Sequence, residues 1–216
     1  MSTERLGEAI RRLRESCGET ESDTVPAVPR RFRTLVDVVA GTGTRTSDDS
    51  PAGQFDRPEE LAELPVEVLK EALRQTGRDA RRAAALQGLA RWWPEDGPGQ
   101  DWCDDHQRRR QELTAVRGVG HELVDRILLL VLEVSTMPLS RAALRVGCRH
   151  GWNGLESEYQ EWQQLYRQAA EVAAASLPET DRLIRQVGRS HCGPRPKCDG
   201  CPLESLLPEG GPYEPE

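Results

Sequence analysis

Cys192, Cys198 and Cys201 stand within ten residues of one another in the segment Leu183 to Cys201, LIRQVGRSHCGPRPKCDGC. Thiols that close are soft ligands for an iron–sulfur cluster or a zinc ion wherever the compartment keeps cysteine reduced. A loop of free thiols is the alternative, and His191 adjoins Cys192 too closely to share the same ion. A second segment, Leu113 to Val124, reads LTAVRGVGHELV. It predicts a short helix that runs into Gly118-Val119-Gly120 and a second helix that leaves it, the glycines permitting the reversal. The start of the exit helix presents backbone N–H groups and the positive end of its dipole, a geometry that suits a phosphate. Arg117 beside the turn adds a charge-assisted donor. A helix–helix connection that binds nothing would read the same way.

The supply of other reactive groups is narrow. Only two lysines occur, Lys70 and Lys197, in a total of 29 Lys and Arg. A mechanism that needs a lysine amine therefore has two candidates at most. Asp37, Asp125 and Glu133 are the acids in the apolar segments near the glycine turn, each either a catalytic carboxylate or a helix-face charge. Trp92, Trp93, Trp102, Trp152 and Trp162 suit stacking on bases or, more simply, helix packing.

Formal net charge is −7, which argues mildly against nucleic acid, because non-specific affinity comes from Lys and Arg neutralising phosphates. The average conceals local groups: Arg11, Arg12 and Arg14; Arg30, Arg31 and Arg33; Arg78, Arg81 and Arg82; Arg108, Arg109 and Arg110. Solvated helix faces are the plain reading of each. The longest apolar run, Ile127 to Leu132, is far short of the ~20 residues of a membrane helix, and MSTERLGEAIRRLRES has no apolar signal core. No membrane association and a cytoplasmic location are expected.

The elements that must carry these groups are helical. Period 3.6 marks Leu6, Ile10 and Leu13, then Arg33 to Ala40, Glu59 to Leu73, Arg78 to Trp93, Gln107 to Val116, His121 to Val134, Pro138 to Arg149, Glu156 to Ser176 and Glu179 to Val187. Gly18 to Pro29 reads as a linker, and Gly41 to Pro58 and Pro94 to Asp105 as loops. No strand pattern persists. The expected class is all-α.

The glycine turn, the Gly188-Arg189 pair before the cysteine loop, and LRQTGRDARRAAALQGL (Leu73 to Leu89) together resemble the endonuclease III-like members of the helix-hairpin-helix DNA glycosylase superfamily. The resemblance runs from about Arg30 to Leu207. It implies a central helical bundle with the hairpin, residues 30–135, and a second helical subdomain, residues 1–29 and 136–216, with the cysteine loop. It further implies a monomer that takes double-stranded DNA into the cleft between the two, in base-excision repair. Arg117, Gly118, Val119, Gly120 and His121 would contact DNA, and Cys192, Cys198 and Cys201 would hold a 4Fe–4S cluster.

Carried residue by residue, the resemblance also shows departures. From the glycine turn the spacing runs without a gap to Leu144-Arg145-Val146, where the family has a similar aromatic-Arg-Val. The family's Schiff-base lysine then falls on Glu122 and its catalytic aspartate on Ser140. Glu122 cannot form a Schiff base, and Ser140 has no charge to offset a sugar cation. Where the family carries a glutamine that fills the gap left by a flipped base, this chain has Gly43, with Arg45 as a substitute wedge or a loop arginine. The family's fourth cysteine falls on Leu207, so the ligand set is incomplete. Cys17, Cys148 or water would have to complete it. The expected function is a DNA-binding scaffold without normal glycosylase or lyase chemistry. Two alternatives stand beside it: an active glycosylase with Glu122 as relocated acid, and a helical module for a protein partner.

Overall fold

The computed structural model describes residues 2–17, 28–41, 55–74, 79–95, 97–99, 104–154 and 156–213. Among these residues the fold consists of α1 (Ser2–Cys17), α2 (Val28–Ala40), α3 (Pro58–Glu63), α4 (Val66–Leu73), α5 (Asp79–Trp92), α6 (His106–Ala115), α7 (His121–Leu130), α8 (Arg141–Arg149), α9 (Tyr159–Val172), α10 (Leu177–Ser190) and a 3-10 turn, Glu204–Leu206. The described residues contain no strand, only an isolated bridge between Cys192 and Pro196. The all-α expectation holds, and no helix among them is long and apolar enough to cross a membrane. The chain divides into two compact units, Thr24–Ser135 and Met1–Asp23 with Thr136–Glu216.

In the 24–135 unit, α3 and α4 pack on α5, and α2 packs on α7 and α5. Leu35, Leu61, Leu69, Leu73, Leu86, Leu89, Leu113, Ile127 and Leu128 are among its fully buried side chains. Periodicity predicts one helix over Glu59 to Leu73, but two form. Pro65 lacks an N–H and pushes Leu64 out of the helical region, to φ −62 and ψ 139. α5 is rich in Ala, Leu and Arg, strong helix formers, and ends ahead of Pro94. Phe32 of α2 meets Trp93 edge to face at 5.2 Å.

In the other unit α1 lies along α9 and α10, and α8 along α10. The arginines of α1 are partly solvated and also bond to the backbone at the end of α9. Arg11 donates to the Val172 carbonyl (3.0 Å), and Arg14 to those of Ala173 and Ala174 (3.2 Å each). Arg14 also holds Glu179 through two bonds of 2.7 and 3.0 Å. Guanidinium groups thus satisfy the carbonyls at the negative end of α9. α9 itself opens later than expected, at Tyr159, behind a capping box of Glu158 and Glu161. Gly188 lets α10 approach α8 closely, because a Cβ there would overlap that of Ala142.

His150 ends α8, is 6% exposed and stacks on Trp152 at 4.6 Å. Burial holds its pKa below the ordinary 6.5, despite a bond to the Leu206 backbone that works the other way, and nearby Arg5 lowers it further. The unfolded chain therefore takes up a proton that the folded chain resists. The stability contributed by neutral His150 is full above about pH 6.5 and falls as pH drops below it. The ring resonances of His150 should titrate below those of a free histidine, and His150→Gln should flatten the loss of Tm on moving from pH 7 to 5. A His150 that titrates at or above 6.5 would contradict the assignment.

Candidate nucleic-acid interface

The segment Leu113 to Val124 folds as a hairpin of α6 and α7. Asp105 caps α6 by accepting from the Arg108 N–H at 3.3 Å. The Val119 N–H bonds to the Val116 carbonyl at 3.1 Å and closes a four-residue turn. Gly118 holds its third position at φ +90, the left-handed region such a turn requires there. A Cβ on Gly118 would also stand 2.8 Å from the Arg81 carbonyl oxygen of α5. Val119 is 8% exposed and anchors the turn in the core of the 24–135 unit.

Gly120 precedes α7 in an extended conformation, φ −107 and ψ 169, and supplies no side-chain cap. Space in front of it is open: the nearest atom to a Cβ there would be Nη2 of Arg81, at 4.0 Å. Arg117 and His121 are exposed on either side. Behind the turn, Arg110 of α6 is paired with Asp125 of α7, whose carboxylate is fully buried. This pair braces the two helices and accounts for Asp125. Asp37 is likewise fully buried, and Glu133 is paired with Arg31.

The structure separates arginines that are adjacent in sequence. Arg82 donates to the Ala40 carbonyl at the end of α2, whereas the Arg81 guanidinium lies beside Gly120. Arg108 and Arg109 bind Glu112 at 2.9 and 2.8 Å, and Trp92 donates to the same carboxylate at 3.0 Å. Burial opposes the charge on Glu112, but Trp92 and the two arginines outweigh it and hold its pKa below 4.5. Trp162 is buried against Tyr166. Arg45, Gly43, Arg78 and Trp102 lie outside the described residues.

Glu122 occupies the first turn of α7, half-buried, where a negative charge suits the helix dipole. Ser140 is the N-cap of α8: it is 4% exposed, and its Oγ accepts from the Ala143 N–H at 3.1 Å. The expected helix over Pro138 to Arg149 therefore begins only at Arg141.

The cysteine loop leaves α10 at His191. It is closed by bonds from Cys192 N–H to the Val187 carbonyl (2.8 Å), Lys197 N–H to His191 (2.9 Å) and Cys201 N–H to Cys198 (2.9 Å). Burial raises the thiol pKa values of Cys198 and Cys201 above 9.0, and does the same at Cys17 and Cys148. Among the described residues no three His, Cys, Asp or Glu side chains converge as metal ligands. The cavity beside the three cysteines has a volume of about 20 Å³ and is bordered also by Leu203, Leu207 and Pro212, room for about one water. The donors among the described residues do not fit an iron–sulfur cluster.

No family model matches the chain. A curated relative, endonuclease III of Bacillus subtilis (strain 168), is 27% identical over 164 residues, 73% of this chain and 69% of that protein. Superposition on a solved trapped endonuclease III–DNA covalent intermediate, an estranged-adenine complex, gives a TM-score of 0.67 over 97% of both chains at 19% identity. A thermostable thymine-DNA glycosylase gives 0.59 over 95% of both chains at 16% identity. The chain has the endonuclease III-like helix-hairpin-helix glycosylase fold. Within this endonuclease III-like fold, the hairpin keeps its glycine turn while Glu122 and Ser140 take up helix-terminal positions.

The capping role of Ser140 sets a measurable contrast. Ser140→Ala should lower stability by about 1 kcal/mol, whereas Ser140→Asp should be close to neutral, because aspartate caps as well as serine. Denaturant unfolding of the three proteins would measure it. Equal stability of the Ala and wild-type proteins would remove the cap from the account.

Proposed function

We propose that this chain is a duplex-DNA-binding protein on an endonuclease III scaffold that lacks lyase chemistry and ordinary base excision. The observation that carries the reading is the open helix start at Gly120, with the Arg81 guanidinium beside it and the exposed Arg117 next to the turn. A phosphate there would receive backbone amides and two charge-assisted donors. Such contacts position a protein on DNA and carry no base specificity. The net charge of −7 opposes duplex binding at long range, so the affinity rests on the guanidinium groups local to the turn.

The residues at the family's reacting positions support the second half of the proposal. Glu122 offers no amine. The hydroxyl of Ser140 is used in capping α8, and a hydroxyl offers a sugar cation several kcal/mol less than a carboxylate in a dry site. Lys70 is paired with Glu67 at 2.6 Å on α4, and Lys197 lies exposed in the cysteine loop. The donor set around that loop favours a protein without a 4Fe–4S cluster.

Duplex binding followed by fluorescence anisotropy over a salt series tests the reading. Affinity should fall steeply with salt, and Arg81→Ala or Arg117→Ala should each reduce the log–log slope by about 1. Gly120→Val should abolish most binding without unfolding the protein, since its backbone is extended and a Cβ there would meet nothing closer than Arg81 at 4.0 Å. Borohydride with abasic-site duplex should trap no covalent adduct. Absence of duplex binding at low salt, or an adduct lost in Lys70→Ala, would overturn the proposal.

A further inference from the structure

We infer that the cysteine loop of this chain is held closed by two arginines of α8 and stands without a metal. Arg145 and Arg149 are four residues apart and so share one face of the helix. Arg149 is 3% exposed. Its Nη1 donates to the Gly193 carbonyl at 2.7 Å and contacts Cys192 Sγ at 3.4 Å, and its Nη2 donates to the Pro194 carbonyl at 2.8 Å. Arg145 Nε donates to the Cys192 carbonyl at 3.0 Å. Three consecutive carbonyls, at residues 192 to 194, are therefore bound by two guanidinium groups. The planar fork of Arg149 spans two of them at once in a fixed geometry that a lysine's single ammonium does not impose.

The packing of the unit explains why these arginines reach the loop. Gly188 removes the side chain that would hold α10 away from Ala142 of α8. The loop begins directly after α10, so its carbonyls fall over the arginine face of α8. The remainder of the loop closes on itself: Glu204 N–H bonds to the Cys201 carbonyl (2.9 Å), and Gly200 N–H to the Glu204 carboxylate (3.2 Å). A cluster ligated by thiolates would need four donors, and the position of the fourth is Leu207. Leu207 instead borders, with Leu203 and Pro212, a cavity with room for one water. The arginines bind backbone carbonyls, so the closure they provide does not depend on the identity of the cysteine side chains.

The inference stands whether or not the chain binds DNA. The full-length protein, purified without oxygen, should be colourless and carry no stoichiometric iron, sulfide or zinc, and its Tm should be unchanged by EDTA. Cys198→Ser should move Tm by less than about 2 °C, whereas Arg149→Met should lower it by about 5 °C or more. Should Arg149→Met fail to accumulate, Arg149→Lys keeps the charge and loses the fork. It should fold with a lowered Tm and become open to protease cleavage between residues 192 and 201. Stoichiometric iron and sulfide, or zinc, lost on Cys198→Ser would overturn the inference. An unchanged Tm and an uncut loop in both Arg149 variants would overturn it equally.

Discussion

Gly118 turns the chain in a backbone conformation that L side chains resist, with the Arg81 carbonyl 2.8 Å from where a Cβ would stand. The lack of a Cβ lets the turn pack closely against α5, and much of the hairpin follows from it. Val119 is driven into the core, Gly120 is left extended with open space in front, and α7 starts beside the guanidinium of Arg81. The buried Asp125 and its Arg110 partner then hold the two helices of the hairpin to each other. Loss of Arg110 would leave a buried carboxylate short of a partner, a cost on the order of 1–3 kcal/mol. An open helix start is thus built from backbone and packing, independently of any reacting side chain.

This division separates the proposed nucleic-acid surface from the side chains at the proposed reacting positions. The hairpin depends on Gly118, Val119, Gly120 and the carbonyl of α5. The positions that the resemblance assigns to chemistry depend on single side chains, here Glu122 and Ser140, and each of these serves a helix start. Serine in place of aspartate keeps the cap of α8 and removes only a charge. The cysteine loop follows the same logic. Its backbone is satisfied by Arg145 and Arg149, so thiol ligands can be lost without leaving carbonyls unbonded.

The hairpin was legible because its signal is local: two glycines around a valine, with periodic apolar residues on both sides, leave few alternatives. The break at Leu64-Pro65 is equally local, yet apolar periodicity runs across it and masks the proline. Ser140 also carried a legible signal, a capping residue ahead of a helix, which was absorbed into a helix drawn from Pro138. The roles of the arginines were not legible at all. Arg81 and Arg82 are neighbours in RDARRAA, and only a carbonyl 42 residues away separates one from the other. Arg11 and Arg14 likewise bond to carbonyls about 160 residues distant. Arginine function is set by tertiary partners, whereas turns, caps and proline breaks are set by the nearest few residues.

The central claim is that the hairpin survives as a binding device while the reacting positions are silent. It is tested most directly by single-turnover base release from duplexes carrying oxidised, alkylated, deaminated and mismatched bases, at protein concentrations that saturate binding. The account predicts full occupancy of the DNA with no release above the uncatalysed rate on any duplex. Robust release on one of them, abolished by Glu122→Gln while binding is retained, would contradict it and establish Glu122 as the working acid.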